Sequence, residues 1–364
     1  MITRDAQSTL HACLSAVRDS IDEIVIVDSS SDQTRRIAES FGAHVRECPP
    51  ITDFSAARNE SFAAATGDWI LTLDADDELP AAGAHRLRSL CETLAPDIVG
   101  VACPYHYHVD DCGQVDILSL RLRLVRRLAA PFWRGRVHEE LVFDGPCAIA
   151  DIPVLHRRVG PPATARNLLI YERQRRLGEP FSVRDRIGYA EELRADRQWV
   201  ASAKAFADIA GEPDIPVEQR VHALTGQAEC LLNLQAPSAA GACLQSAMTL
   251  VGPRTDLLVR SAHVLRRCGQ LAAAERLLRQ ALDHPLPPPY DAPFIRPAFH
   301  TWLPHAELAC VLGLQERWTA ACEQIDSALA HRPQDERLLA HRRQLLQRRA
   351  THASPGLAPA RSDP

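Results

Sequence analysis

The chain has 364 residues, 46% of them hydrophobic and 24% charged, with a net charge of −5 at neutral pH. That length accommodates two domains with separate cores, and the charge excludes nucleic acid or an anionic membrane surface as a partner recruited by bulk positive charge. Eleven cysteines without a C-x-x-C pair or His/Cys ligand spacing exclude a patterned disulfide or zinc framework and point to reduced thiols in the cytoplasm, and no apolar run reaches the 18 residues of a transmembrane segment.

In chain order, Leu10, Cys13, Leu14 and Val17 fall at i, i+3, i+4 and i+7 and predict a helix. The β-branched run Glu23 to Asp28 predicts a strand buried on both faces. Ser29 to Asp32 turns the chain into a helix with Thr34, Ile37, Ala38 and Phe41 inward, stopped by Gly42. A short strand from Ala43 to Cys48 follows, then a helix capped by Asp53 and closed by Gly67. Asp68 to Leu73 reads as a strand, Leu87 to Leu94 as a helix and Asp97 to Cys103 as a strand, the alternation of a parallel α/β sheet. Beyond Tyr105 the pattern turns antiparallel, with a hairpin tip at Val109 to Gln114 and Leu120, Leu122 and Leu124 alternating with Arg121 and Arg123.

The strand from Asp68 ends in Asp74, Asp76, Asp77 and Glu78, four acids in five positions. Carboxylates at the carboxyl edge of a sheet repel one another, and Mg²⁺ or Mn²⁺ carrying water and a substrate phosphate relieves that repulsion. The plain alternative is an acidic, solvated turn. Asp28 closes an earlier strand, so it is expected on the same edge, where a nucleotide could span the two acidic positions. Neither a Gly-x-Gly-x-x-Gly after the first strand nor a Walker motif is present, so metal and arginine must hold the phosphate.

The blocks Met1-Ile2-Thr3-Arg4-Asp5, Ile24 to Ser29, Asp53-Phe54-Ser55-Ala56-Ala57-Arg58-Asn59, Gly67-Asp68-Trp69-Ile70, Asp74-Ala75-Asp76, Arg134 to Glu139 and Asp151 to His156 resemble glycosyltransferase family 2 in order and spacing. Within it the chain is most similar to a bacterial branch that includes peptide S-glycosyltransferases and enzymes with appended tetratricopeptide repeats. The resemblance covers roughly residues 1–160 and implies a GT-A fold, a Rossmann-like mixed sheet flanked by helices. It also implies inverting transfer of a sugar from a nucleotide-diphosphate donor, a UDP-sugar foremost. Carried over, Asp28 contacts the nucleoside, Asp74 and Asp76 handle ribose and metal, and Arg58-Asn59 lie on a helix beneath the donor. Glu139 is the favoured base, with Glu140 as the alternative and His138 orienting it or touching phosphate. His156 is a candidate third metal ligand, and Arg134 and Arg136 flank the diphosphate. The family's first strand normally extends upstream of the position of Met1, so the true start of the protein is expected upstream.

Pro161-Pro162 marks a boundary, residues 161–182 hold a linker helix, and 183–346 read as all-helical. Ala240, Leu244 and Ala247, then Ala274, Leu278 and Ala281, then Ala321, Ile325 and Ala328 repeat one spacing, with Ser202, Phe206 and Ile209 as a weaker first copy. The first two full copies stand 34 residues apart, which resembles the tetratricopeptide repeat, a stack that binds a protein partner or supports the fold. A proline-rich insert, Pro285 to Pro304, lengthens the last interval, and residues 347–364 are expected to be a disordered tail. Two functions follow: a transferase whose repeats help position an acceptor (saccharide, lipid-linked intermediate, peptide or protein), or a nucleotide-sugar-binding scaffold that has lost catalysis. A nucleotidyltransferase is the weakest reading, since a glycine- and lysine-rich phosphate loop is missing near residue 5.

Overall fold

Two consecutive blocks of structure carry the chain, and the computed structural model describes residues 1–109, 115–157, 164–284 and 294–353. One unit comprises Met1–Ala205 with Pro287–Arg296, the other Phe206–Leu286 with Pro297–Pro364. The division falls inside the helix Trp199–Ala210, later than the 161–182 linker expected from sequence.

The first unit begins with β1 (Ile2–Thr3), α1 (Leu10–Val17), β2 (Val25–Asp28), α2 (Thr34–Ser40) and β3 (His44–Glu47), where the three strands form a parallel sheet in the order β1-β2-β3. α1 buries Leu10, Cys13, Leu14 and Val17, the face its spacing predicts. Ile26 and Val27 are both fully buried, as a strand covered on both faces requires. Next come α3 (Phe54–Ala64), β4 (Trp69–Leu71), β5 (Asp77–Glu78), α4 (Ala81–Thr93), β6 (Gly100–Val109) and β7 (Val115–Arg126). They are followed by β8 (Phe132–Arg134), β9 (Glu140–Val142), β10 (Cys147–Ile149), β11 (Val154–His156), α5 (Thr164–Arg176), α6 (Val183–Ala195) and α7 (Trp199–Ala210).

A seven-stranded mixed sheet is built on the antiparallel pair β6 and β7, with β4 antiparallel to β7 and β10 and β11 parallel to β6. The direct β6–β7 pairing is the antiparallel turn expected beyond Tyr105, whereas β4, expected in a parallel alternation, lies antiparallel to β7. Asp28 and Asp74 therefore follow strands of separate sheets. The expected hairpin tip, apart from Val109, and Pro161-Pro162 lie outside the described residues.

The second unit stacks α8 (Val217–Asn233), α9 (Pro237–Val251), α10 (Thr255–Arg267), α11 (Leu271–Leu282), α12 (Trp302–Leu314), α13 (Trp318–His331) and α14 (Glu336–Ala353). Ala240, Leu244 and Ala247 on α9, Ala274, Leu278 and Ala281 on α11, and Ala321, Ile325 and Ala328 on α13 are each at most 1% exposed. Small residues let each helix close on its neighbour, and the shared core exists only in the stack. α14 continues to Ala353, through positions 347–353 that composition assigned to a disordered tail. Residues 285–293, including Pro287-Pro288-Pro289, and 354–364 lie outside the described residues. After the former comes β12 (Phe294–Ile295), which joins the first unit by pairing antiparallel to β7. No helix among the described residues is long and apolar enough to cross a membrane.

Candidate functional site

β5 pairs antiparallel with β11 so that Asp77 faces His156 in register. Asp77 is fully buried: Oδ1 accepts the Tyr105 hydroxyl at 2.8 Å, and Oδ2 accepts the Asp74 amide at 2.9 Å and lies 2.9 Å from Arg123 Nη2. His156 Nδ1 sits 3.3 Å from Asp77 Oδ1 and 3.5 Å from Asp76 Oδ1. One ligand atom from each of Asp76, Asp77 and His156 falls within a 4.8 Å group. Burial pushes the Asp76 carboxyl up. For His156, burial acts to lower the pKa, but the Asp77 hydrogen bond and the charge of Asp76 outweigh it and raise it. The two carboxylates are hard oxygen donors of the kind that Mn²⁺ and Mg²⁺ take, and the imidazole, a borderline nitrogen donor, fits Mn²⁺ better than Mg²⁺.

The expected ligand Asp74 stands outside this group. Its Oδ1 accepts Arg58 Nη2 at 2.5 Å, and Arg123 Nη2 lies 3.7 Å from Oδ2. Burial alone would raise its pKa, but Arg58 first and Arg123 next hold it well below the usual carboxylate range. Asp77, given no role from sequence, stands in the group because the β5–β11 register brings it to His156.

Arg58 comes from α3, whose first turn is capped by Asp53 through a 3.0 Å bond from the Ala56 amide. Its Nε donates to Glu139 Oε1 at 2.5 Å, and its guanidinium lies 4.8 Å from the Trp133 ring centroid. One buried arginine thus ties Asp74 to the favoured base. Asn59 is likewise committed to the fold: its Nδ2 donates to Trp133 O at 2.9 Å and its Oδ1 accepts the Trp133 amide at 2.6 Å.

The alternative base Glu140 lies on β9 at the surface, paired with Arg134 and 3.6 Å from Arg184. Arg134 is exposed and engaged there, and Arg136 pairs with Glu179 at 2.7 Å and approaches Asp53 at 3.7 Å. His138, in the left-handed region at φ 53, turns toward α6, with Nε2 3.0 Å from Glu192. None of these four joins the carboxylate–imidazole group.

Asp28 ends β2 fully buried, its Oδ1 accepting Thr3 Oγ1 at 2.6 Å and Ser30 Oγ at 2.5 Å. Its Oδ2 has no hydrogen-bond partner, alone among the buried carboxylate oxygens of the described residues, and its nearest cation is Arg35, with Nε 3.9 Å away. A buried acceptor without a hydrogen bond retains capacity for one more donor. Sequence reasoning missed Asp77, Tyr105 and Arg123. The signal present was the arginine alternation of β7, from which no role was drawn although Arg123 is 3% exposed.

Residues 1–136 match the family model described as Glycosyl transferase family 2. A TPR repeat-containing protein of Synechococcus elongatus is 49% identical over 90 residues, 24% of this chain and 22% of that protein. The SPbeta prophage-derived glycosyltransferase SunS of Bacillus subtilis is 25% identical over 143 residues, 38% of this chain and 33% of SunS. The matches thus span no more than a third of either relative's length. Among solved structures, a tetratricopeptide repeat protein from Parabacteroides merdae aligns with TM-score 0.42 and 9% identity, over 52% of this chain and 68% of that one. The N-terminal region, residues 1–136, is therefore a glycosyl transferase family 2 domain.

Proposed function

We propose that the chain is an inverting glycosyltransferase that moves a sugar from a nucleotide-diphosphate donor, with a divalent cation held by Asp76, Asp77 and His156. The observation that carries the reading is Arg58, which bonds Asp74 and Glu139 at 2.5 Å each and so fixes a carboxylate base beside the acidic strand end of a family 2 domain. Glu139 takes the proton from the acceptor nucleophile as that atom attacks the anomeric carbon, and the bond to the nucleoside diphosphate breaks on the opposite face. The cation, when bound, supplies positive charge to the leaving diphosphate. Asp28 Oδ2 receives a nucleoside group, and the helical stack contributes to choosing the acceptor.

The test is release of nucleoside diphosphate from a panel of nucleotide sugars in the presence of Mn²⁺. Wild-type chain is expected to release one, and Asp76→Asn and Glu139→Gln each to lose at least about 100-fold in turnover. Full turnover in either variant would reject the assigned role of that residue. A panel without any release, from protein that binds nucleoside diphosphates, would favour the scaffold reading instead.

A further inference from the structure

Tyr105 is flanked by two arginines of β7, the Cζ atoms of Arg121 and Arg123 each lying 4.5 Å from its ring centroid. Their fates differ. Arg123 is 3% exposed and engaged with Asp77 and Asp74. Arg121 is half-buried, packs also at 5.5 Å on Tyr107, and forms no ion pair or hydrogen bond among the described residues, although its charge reaches the Asp74 carboxylate and helps hold it ionised. Aromatic packing fixes a guanidinium in place while leaving all of its N–H donors available.

Its position is set by the sheet. β4 and β7 pair with Leu71 opposite Leu124, and the Thr72 amide donates to Arg123 O at 2.7 Å. Continuing that antiparallel register puts position 121 level with position 74, at the edge where the acids emerge. Tyr105 bonds Asp77, and the Tyr107 ring lies 5.1 Å from that of His156. Arg121 thus shares its aromatic neighbours with the Asp76–Asp77–His156 group.

We infer that Arg121 is the anion-binding residue of the site, receiving the diphosphate of the donor beside the cation. The assignment rests on the glycosyltransferase reading above. A planar guanidinium with unengaged donors suits the paired oxygens of a phosphate, and a phosphate bridging a cation and an arginine has its charge met from two sides. A lysine at 121 would keep the charge and lose the bidentate geometry.

The experiment is calorimetric titration of the full chain with UDP, GDP, CDP and dTDP in the presence of Mn²⁺, and with the matching nucleosides. For whichever diphosphate binds the wild-type chain, Arg121→Met is expected to weaken binding about tenfold or more, with Arg121→Lys between the two. Affinity for the nucleoside is expected to be unchanged in both variants, which a merely structural role would not permit. Equal diphosphate affinity in wild type and Arg121→Met overturns the assignment, as does a parallel loss of nucleoside binding. Failure of all four diphosphates on the wild-type chain overturns the underlying reading, and the assignment with it.

Discussion

A single guanidinium decides the shape of the candidate site. Arg58 is 8% exposed and answers two carboxylates, Asp74 and Glu139, whose side chains are themselves mostly covered. Replacing it by Met leaves both acids close together without a counter-charge, and breaking a buried ion pair from one side costs about 3–5 kcal/mol. Arg58→Met is accordingly expected to lower the unfolding free energy from urea titration by that amount, and a change under about 1 kcal/mol would show that solvent already screens the pair. Asn59 permits a finer test. Asn59→Asp keeps an acceptor for the Trp133 amide but loses the donor to Trp133 O, so two oxygens face each other at a cost of about 1–3 kcal/mol. Such roles were only partly legible in the sequence. Asp53 as a helix cap was, because capping is local; Asn59 as a tie to Trp133 was not, because its partner lies 74 residues away. The same distance effect hid Asp77, which meets His156 only through the β5–β11 register.

Among the elements, helices were more legible than strands for a physical reason. The spacing in Ala240-Leu244-Ala247 and its copies is a property of one helix, and each such face is buried as a unit. Strand partners are set by tertiary pairing: the two-residue β12 joins β7, with Ile295 opposite Leu118. No periodicity in either segment announces that pairing. The small residues also reach further than their spacing shows. Gly226 of α8 faces Phe206, and a Cβ built at 226 would lie 2.6 Å from the ring. Phe206 is fully buried and cannot swing away freely. Gly226→Ala therefore gains helix propensity yet overpacks the core, and the second effect should win by about 1–3 kcal/mol. A thermal melt that rises for Gly226→Ala would show that the stack has slack at that layer.

At the scale of the whole molecule, the choice of arginine over lysine shapes how stability responds to pH. Lys204 is the only lysine among 41 basic residues, so nearly every ion pair has a partner that stays charged throughout the workable range. Those pairs must therefore fail from the carboxylate side. In the helical unit, Glu307 accepts from Arg266 Nε at 3.1 Å, and His263 Nδ1 lies 3.1 Å away. Its pKa is lowered: burial opposes the charge, but the His263 hydrogen bond and Arg266 overcome it. Glu275, bonded by Arg279 and Arg317, is lowered in the same way, and so is Asp74 in the other unit. A carboxyl with a depressed folded pKa binds fewer protons folded than unfolded, so its contribution is full above the unfolded value, near 4.5 for glutamate, and is lost as pH falls through the folded one. The urea midpoint is thus expected to fall steadily as the pH drops below about 4.5. Glu307→Gln should be less stable at neutral pH, because His263 and Arg266 lose their anion, yet its acid limb should be shallower than that of the wild type. Both chains would converge as the pH nears the folded pKa, where the glutamate is itself neutral. Wild type and Glu307→Gln declining in parallel would mean that this carboxylate does not govern the acid limb, leaving the other arginine-held acids to account for it.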